Sequence, residues 1–242
     1  MTELISLGSG CDAAMQIKRL KLSNTTHFFD YLWNYNDGMK SVIKIFNDNF
    51  EGFDTLSDYK YDYIRGIWGG KKVVIVNNKY KNIGFIHYDI FTQPKVLESF
   101  KRKVSRIRSA LDSEDSINFV YYRSFRHTIE SDYKQYSDFD VERKLEYFYR
   151  ESENFVRFFS RRFQNKKFKL LSLFAEPVDS STDIGEKIDL FFKGIPPRNN
   201  LEFGRVYERY NGKIGYTENI VQSWEKNTND SWENELKRLH PF

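Results

Sequence analysis

Three apolar runs, residues 3–7, 117–122 and 168–174, stand far apart in the chain and have helical periodicities between them. Strands separated by helices cannot pair as tight hairpins. They pair through helical crossovers, which produces a largely parallel sheet with helices packed on it. The expected fold class is therefore α/β, a three-layer sandwich with a largely parallel central sheet. Helical patterns are read over 12–22, 38–49, 96–111, 141–163, 184–192 and 231–239, from apolar residues recurring every three or four positions. Further strands are expected at 71–76 and 82–89, and a hairpin at 207–217 with Asn211-Gly212 at its turn. Residues 50–70 read as turn-rich. No internal repeat or low-complexity linker interrupts the pattern, so residues 1–242 are taken as one α/β domain.

Composition narrows the class of protein. The 22 Phe and 16 Tyr mean that much of the core is built from rings. A net charge of +4 is too small an excess to suggest nucleic-acid binding. No run of about 18 apolar residues is present, so no transmembrane segment is expected. The N-terminus lacks the basic and long apolar regions of a signal peptide. One cysteine cannot form an internal disulfide, which fits a reducing, cytoplasmic setting. The pattern of Cys and His spacings offers no metal site, and none is expected.

That one cysteine, Cys11, sits where the chain changes period. Glu3 to Leu7 reads as a strand, Gly8-Ser9-Gly10 as a sharp turn, and Asp12 onward as a helix with Asp12 in its first turn. A thiol at the carboxyl edge of a parallel strand and the N-terminus of a helix is exposed, favoured as thiolate, and close to N–H groups that can receive an oxyanion. Ser9, Gly10 and Asp12 are the expected turn and oxyanion residues. Equally, a lone cysteine is a common core residue.

A thiolate enzyme needs a base, usually histidine, oriented by a carboxylate or amide. Of the four histidines, His87 falls at the end of the expected strand 82–89 and is followed by Asp89. His27 opens the aromatic loop His27-Phe28-Phe29-Asp30-Tyr31-Leu32-Trp33, in which Asp30 is either a partner for His87 or a structural cap for the helix starting near Gly38. Arg123 and Arg126 follow the strand 117–122. Together with His27 and Trp33 they are the expected substrate-contacting residues.

Three segments, Ile5-Ser6-Leu7-Gly8-Ser9-Gly10-Cys11, Phe29-Asp30-Tyr31-Leu32 and Phe85-Ile86-His87-Tyr88-Asp89, resemble the papain-like cysteine peptidase family defined as the domain of unknown function numbered 1796. The resemblance spans roughly residues 4–123, with the basic helix Ser99 to Leu111 and the strand ending at Arg123 included. Tyr31 departs from the tryptophan common at its position. The resemblance implies Cys11 as nucleophile, His87 as base and Asp30 or Asp89 as the orienting acid, acting by acyl transfer on a small-molecule, peptide or glycan substrate. No cofactor is required on this reading.

A fainter similarity is to capsule-polysaccharide acyltransferases of the WcbI type and to SGNH-like hydrolases, which share a Rossmann-like layout. That second reading is an acyltransferase acting on a surface or capsular polysaccharide, with coenzyme A as a donor held by the basic residues near 101–126. A third class is a non-catalytic carbohydrate- or nucleotide-binding module, suggested by rings and basic residues interleaved over Tyr147 to Phe163. The oligomeric state is left open.

Overall fold

The computed structural model describes residues 3–8, 10–34, 38–65, 71–80, 83–85, 87–125, 141–177, 183–208 and 218–239. Among the described residues, seven strands and six α-helices follow in the order β1 (Glu3–Ser6), α1 (Asp12–Arg19), α2 (Met39–Asn47), β2 (Tyr59–Arg65), β3 (Lys71–Asn77), β4 (Gly84–Phe85), α3 (Pro94–Asp112), β5 (Ile117–Ser124), α4 (Val141–Arg162), β6 (Phe168–Glu176), α5 (Asp183–Lys193), β7 (Leu201–Tyr207) and α6 (Glu218–Lys237). The main sheet runs β1-β5-β6-β7, and every pairing in it is parallel.

Period two along the strands divides the core. Leu4, Val120, Tyr122, Leu171 and Leu173 pack on one face with Ala13 and Ile17 of α1 and Trp232 and Leu236 of α6. Ile5, Phe119, Tyr121, Leu170 and Phe174 face the other way, into a core shared with α2, α3, α4 and α5. The central strand β5 is buried along its whole length, as a strand covered on both faces must be. The protein is thus an α/β sandwich, as its alternating pattern requires.

A second, antiparallel sheet of order β2-β3-β4 lies in sequence between α2 and α3. Here the expectations need correction. The stretch read as turn-rich contains β2, whose rings Tyr59, Tyr61 and Tyr63 alternate with Lys60 and Asp62. Alternation of that kind is the strand period. Strand β4 is two residues long rather than eight, so His87 lies beyond it instead of at the end of a long strand. Strand β7 was not anticipated, because Glu202 and Arg205 interrupt its apolar pattern at the sheet edge. Helix α6 starts at Glu218, well before 231. Residues 209–217, where the hairpin was expected, lie outside the described residues.

Rings fill the space between the two sheets. Phe28 meets Phe29, Phe50 and Phe53 edge-on at centroid distances of 5.2, 5.6 and 4.7 Å. Phe46 extends the cluster to Phe119, Phe155 and Phe159. Tilted and edge-to-face packing suits the ring quadrupoles.

A charged pair is buried within this apolar shell. Arg123, expected among the substrate contacts, is only 2% exposed and pairs with Glu151 of α4 at 3.3 Å. Glu151 also accepts from the Tyr121 hydroxyl at 2.8 Å and from the backbone N–H of Met39, at the start of α2, at 3.0 Å. The Arg123 guanidinium lies 5.1 Å from the centroid of the Tyr147 ring. Gly38, with φ +48°, is held against this cluster, and a Cβ there would overlap the Glu151 carboxylate. In this structure Arg123 therefore acts as a scaffold residue, because its charge is neutralised inside the protein.

Removing one member of a buried pair leaves an uncompensated charge. Glu151→Ala is expected to lower unfolding free energy by about 3–5 kcal/mol. Replacing both Arg123 and Glu151 with methionine is expected to recover most of that loss. Urea denaturation of the three proteins checks this, and a Glu151→Ala variant as stable as wild type would contradict it.

Candidate active site

The site is assembled by backbone hydrogen bonds. After β1 the chain turns through Gly8 (φ +89°) and Gly10 (φ +105°), left-handed conformations in which a side chain would be strained. Cys11 follows at the N-cap of α1, half-buried, and its carbonyl accepts from Met15 at 2.9 Å. Asp12 is the first residue of α1, where a carboxylate suits the positive end of the helix. Ser9 lies outside the described residues.

The Gly10 N–H donates to the carbonyl of Leu32 at 3.0 Å, which fastens the cysteine turn to the aromatic loop. One residue further, Trp33 and Gly84 exchange two hydrogen bonds of 2.9 Å, which fasten that loop to β4. His87 stands three residues after Gly84 and is exposed. The segment that bears His87 is thus tied to the cysteine turn through the aromatic loop.

Tyr31 occupies the space between them. Its φ of +64° is unusual for a residue with a Cβ, and such conformations cluster at functional sites. Its ring stands edge-on to His87 at 6.0 Å and to Tyr88 at 6.4 Å. Burial, with added repulsion from negative charge on Asp30 and Cys11, raises the pKa of its hydroxyl. Cys11, Tyr31 and His87 therefore belong to one neighbourhood.

The two candidate orienting acids have structural work of their own. Asp30 is 8% exposed, and its Oδ2 accepts from the His27 backbone N–H at 2.8 Å, which closes the turn 27–30. Burial pushes its pKa up, and the His27 N–H and the charges of His27 and Lys103 offset this only in part. Asp89 accepts at Oδ1 from the Tyr61 hydroxyl at 2.9 Å and from the N–H groups of Phe91 and Thr92. Against a penalty from desolvation, those bonds hold its pKa below the usual carboxylate range. Asp30 thus closes its own turn and does not cap α2, whose first N–H, that of Met39, goes to Glu151.

Lys103, one of the basic residues near 101–126 offered for a coenzyme A donor, turns inward instead. It is 4% exposed on the inner stripe of α3, three residues from Phe100, and a count along that helix would have shown it facing inward. Its ammonium donates to the Tyr88 hydroxyl at 3.2 Å. Burial pulls its pKa down, with Asp30 opposing, while burial pushes Tyr88 up to about 12.

His27 is 2% exposed, and its Nε2 lies 3.1 Å from Glu3 Oε1 and 3.3 Å from Thr25 Oγ1. The hydrogen bond from His27 holds Glu3 below its usual pKa. Trp33 is buried at 4% exposure, so its ring belongs to the core more than to a binding face. Arg126 lies outside the described residues. Among the basic residues of α3, Lys101 pairs with Glu98, while Arg106 and Arg108 donate to the carbonyls of Thr26 and Asn49. No group of three or more metal-ligating side chains occurs among the described residues. No described helix is long and apolar enough to cross a membrane.

An α/β sandwich whose single cysteine stands at the turn from an edge strand into a helix is the class defined by these observations. Residues 2–139 match the family model described as "Putative papain-like cysteine peptidase (DUF1796)", more than half of the chain, and the protein belongs to that family. No curated protein and no solved structure matches it.

The shift at Asp30 has a sign that can be measured. Because its folded pKa is raised, the folded state keeps a proton that the unfolded chain releases above the ordinary carboxylate range. Asp30 therefore costs stability as pH rises from about 4 through the folded value. Relative to wild type, Asp30→Asn is expected to gain stability across that window and then level off. Urea unfolding of both proteins between pH 4 and 7 checks it, and a slope of opposite sign would refute it.

Proposed function

We propose that the protein is a cysteine hydrolase that works through a thioester on Cys11, with His87 as its base. The observation that carries this reading is the hydrogen-bonded path from Gly10 through Leu32 and Trp33 to Gly84, which ties the cysteine turn to the segment bearing His87. In the proposed reaction His87 takes the thiol proton and Cys11 Sγ attacks a substrate carbonyl. The developing oxyanion is stabilised by N–H groups at the start of α1. Collapse of the tetrahedral intermediate breaks the bond to the leaving group, which takes the proton from His87. Water, deprotonated by His87, then releases the acid and restores the thiol.

Edge-on packing against Tyr31 supports a fixed orientation of the His87 ring. Peptides and small acyl compounds are the substrate class. The same thioester resolved by a sugar hydroxyl would make the protein a polysaccharide acyltransferase. A donor such as coenzyme A needs a basic pocket, and Arg123, Arg106 and Arg108 lend that reading little, since their guanidinium groups bond to the protein.

Cys11→Ala is expected to abolish hydrolysis of 4-nitrophenyl acetate and fluorogenic peptide amides and to remove labelling by iodoacetamide. His87→Ala is expected to lower the rate about 10²–10⁴-fold, the range of general acid–base catalysis. Initial rates with intact-mass analysis of the labelled protein measure both. Full activity in Cys11→Ala, with no selective labelling of Cys11 in wild type, would sink the proposal.

A further inference from the structure

Tyr31 holds a backbone conformation that a turn alone would leave to glycine or asparagine. At φ +64° its Cβ is crowded against the main chain. Such a residue persists only where its surroundings over-determine it. Here they do. Asp30 on one side is buried and closes the turn 27–30, and Leu32 on the other is fully buried. The Leu32 carbonyl receives the Gly10 N–H at 3.0 Å, so Tyr31 and Cys11 each stand one residue from the bond that joins their two turns.

The side chain reaches from there toward the histidine. Its ring is edge-on to His87 at 6.0 Å and to Tyr88 at 6.4 Å, with planes 82° and 80° apart. Tyr88 is itself fixed by Lys103, whose ammonium bonds its hydroxyl and lies 5.0 Å from its ring centroid. A ring in contact with two others has few rotamers open to it. Packing against His87 uses only the ring of Tyr31. The hydroxyl makes no hydrogen bond among the described residues, and the side chain is half-buried. It is therefore a donor, held in one place, for a group that is not part of the protein. Burial raises its pKa, and negative charge on Asp30 and Cys11 adds to this, so the oxygen keeps its proton in the neutral range.

We propose that Tyr31 is a third catalytic residue, whose hydroxyl donates a hydrogen bond to the substrate carbonyl oxygen as Cys11 attacks. The proposal deepens the cysteine-hydrolase reading and rests on it. As the bond from Sγ to the carbonyl carbon forms, the carbonyl π pair moves onto oxygen. The bond from the Tyr31 O–H then becomes charge-assisted and strengthens. No proton leaves Tyr31. The pair returns to re-form the carbonyl when the leaving group departs, and the hydrogen bond weakens again. Attack of water on the thioester passes through the same charge, so both half-reactions gain. An interaction that is stronger in the transition state than in the bound substrate raises kcat and leaves KM nearly unchanged.

Tyr31→Phe tests this, since it keeps the ring and its edge contacts and removes only the oxygen. Two reactions at Cys11 read it out. Hydrolysis of 4-nitrophenyl acetate passes through an oxyanion, whereas iodoacetamide loses iodide from a saturated carbon and forms none. The variant is expected to lose about 10²-fold in kcat for the ester, the scale of one oxyanion donor. Its KM is expected to change little. Its rate of Cys11 alkylation, followed by intact-mass spectrometry, is expected to match wild type. An undiminished kcat would overturn the assignment. So would a parallel fall in hydrolysis and alkylation, which would make Tyr31 a support for the thiolate or for the fold. If wild type itself is inert toward the ester, the cysteine-hydrolase reading falls, and the role of Tyr31 falls with it.

Discussion

The hydrogen bond from the Gly10 N–H to the Leu32 carbonyl joins parts of the chain that topology alone would leave separate. Gly10 belongs to the main sheet's first crossover, and Leu32 to the ring-rich loop that leads toward the small antiparallel sheet. The bond can form because Gly10, at φ +105°, turns its N–H in a direction that an L side chain would resist. Next to it, the paired bonds between Trp33 and Gly84 continue the link into β4. The position of the cysteine relative to the histidine segment thus depends on main-chain geometry, which is stiffer than a contact between flexible side chains.

Rings make that link rigid. The loop that supplies Leu32 and Trp33 also supplies Phe28 and Phe29, both buried among Phe46, Phe50, Phe53, Phe85 and Phe100. Packing this dense leaves few alternative rotamers. It also supports the unusual backbone of Tyr31, because its neighbours on both sides, Asp30 and Leu32, are held inside.

Much of the fold was legible because burial imposes a period. The strands β1, β5 and β6 are apolar enough to be read directly, and so are the long faces of α3 and α4. Strands β2 and β7 were missed where charges alternate with rings or aliphatics, a pattern that one-sided burial produces at a sheet edge. At the site, the turn carrying Cys11 was visible from Gly8, Gly10 and the change of period at Asp12. Asp30, read as a cap for the helix starting near Gly38, closes its own turn instead, because the first N–H of that helix goes to Glu151 from a distant part of the chain. The inward turn of Arg123 was not visible, because its partner Glu151 lies 28 residues further along the chain, and local sequence says nothing of such pairings. Tyr31 shows the same limit, since a left-handed tyrosine carries no mark in composition.

The pairing of Arg123 with Glu151 also bears on where the family's common region ends. The matched residues stop at 139, before α4, β6 and β7. Yet Glu151 of α4 neutralises the arginine at the end of β5 and receives the first N–H of α2. The stretch that carries the family's recognisable residues is therefore joined to the rest of the chain by a buried ion pair and by the β5–β6 pairing. Cut at 139, it would expose the long flank of β5 that β6 covers, and it would bury a positive charge with no counter-ion from α4. The C-terminal half completes the sheet and supplies the acid that neutralises Arg123, so the two halves share one charge balance as well as one sheet.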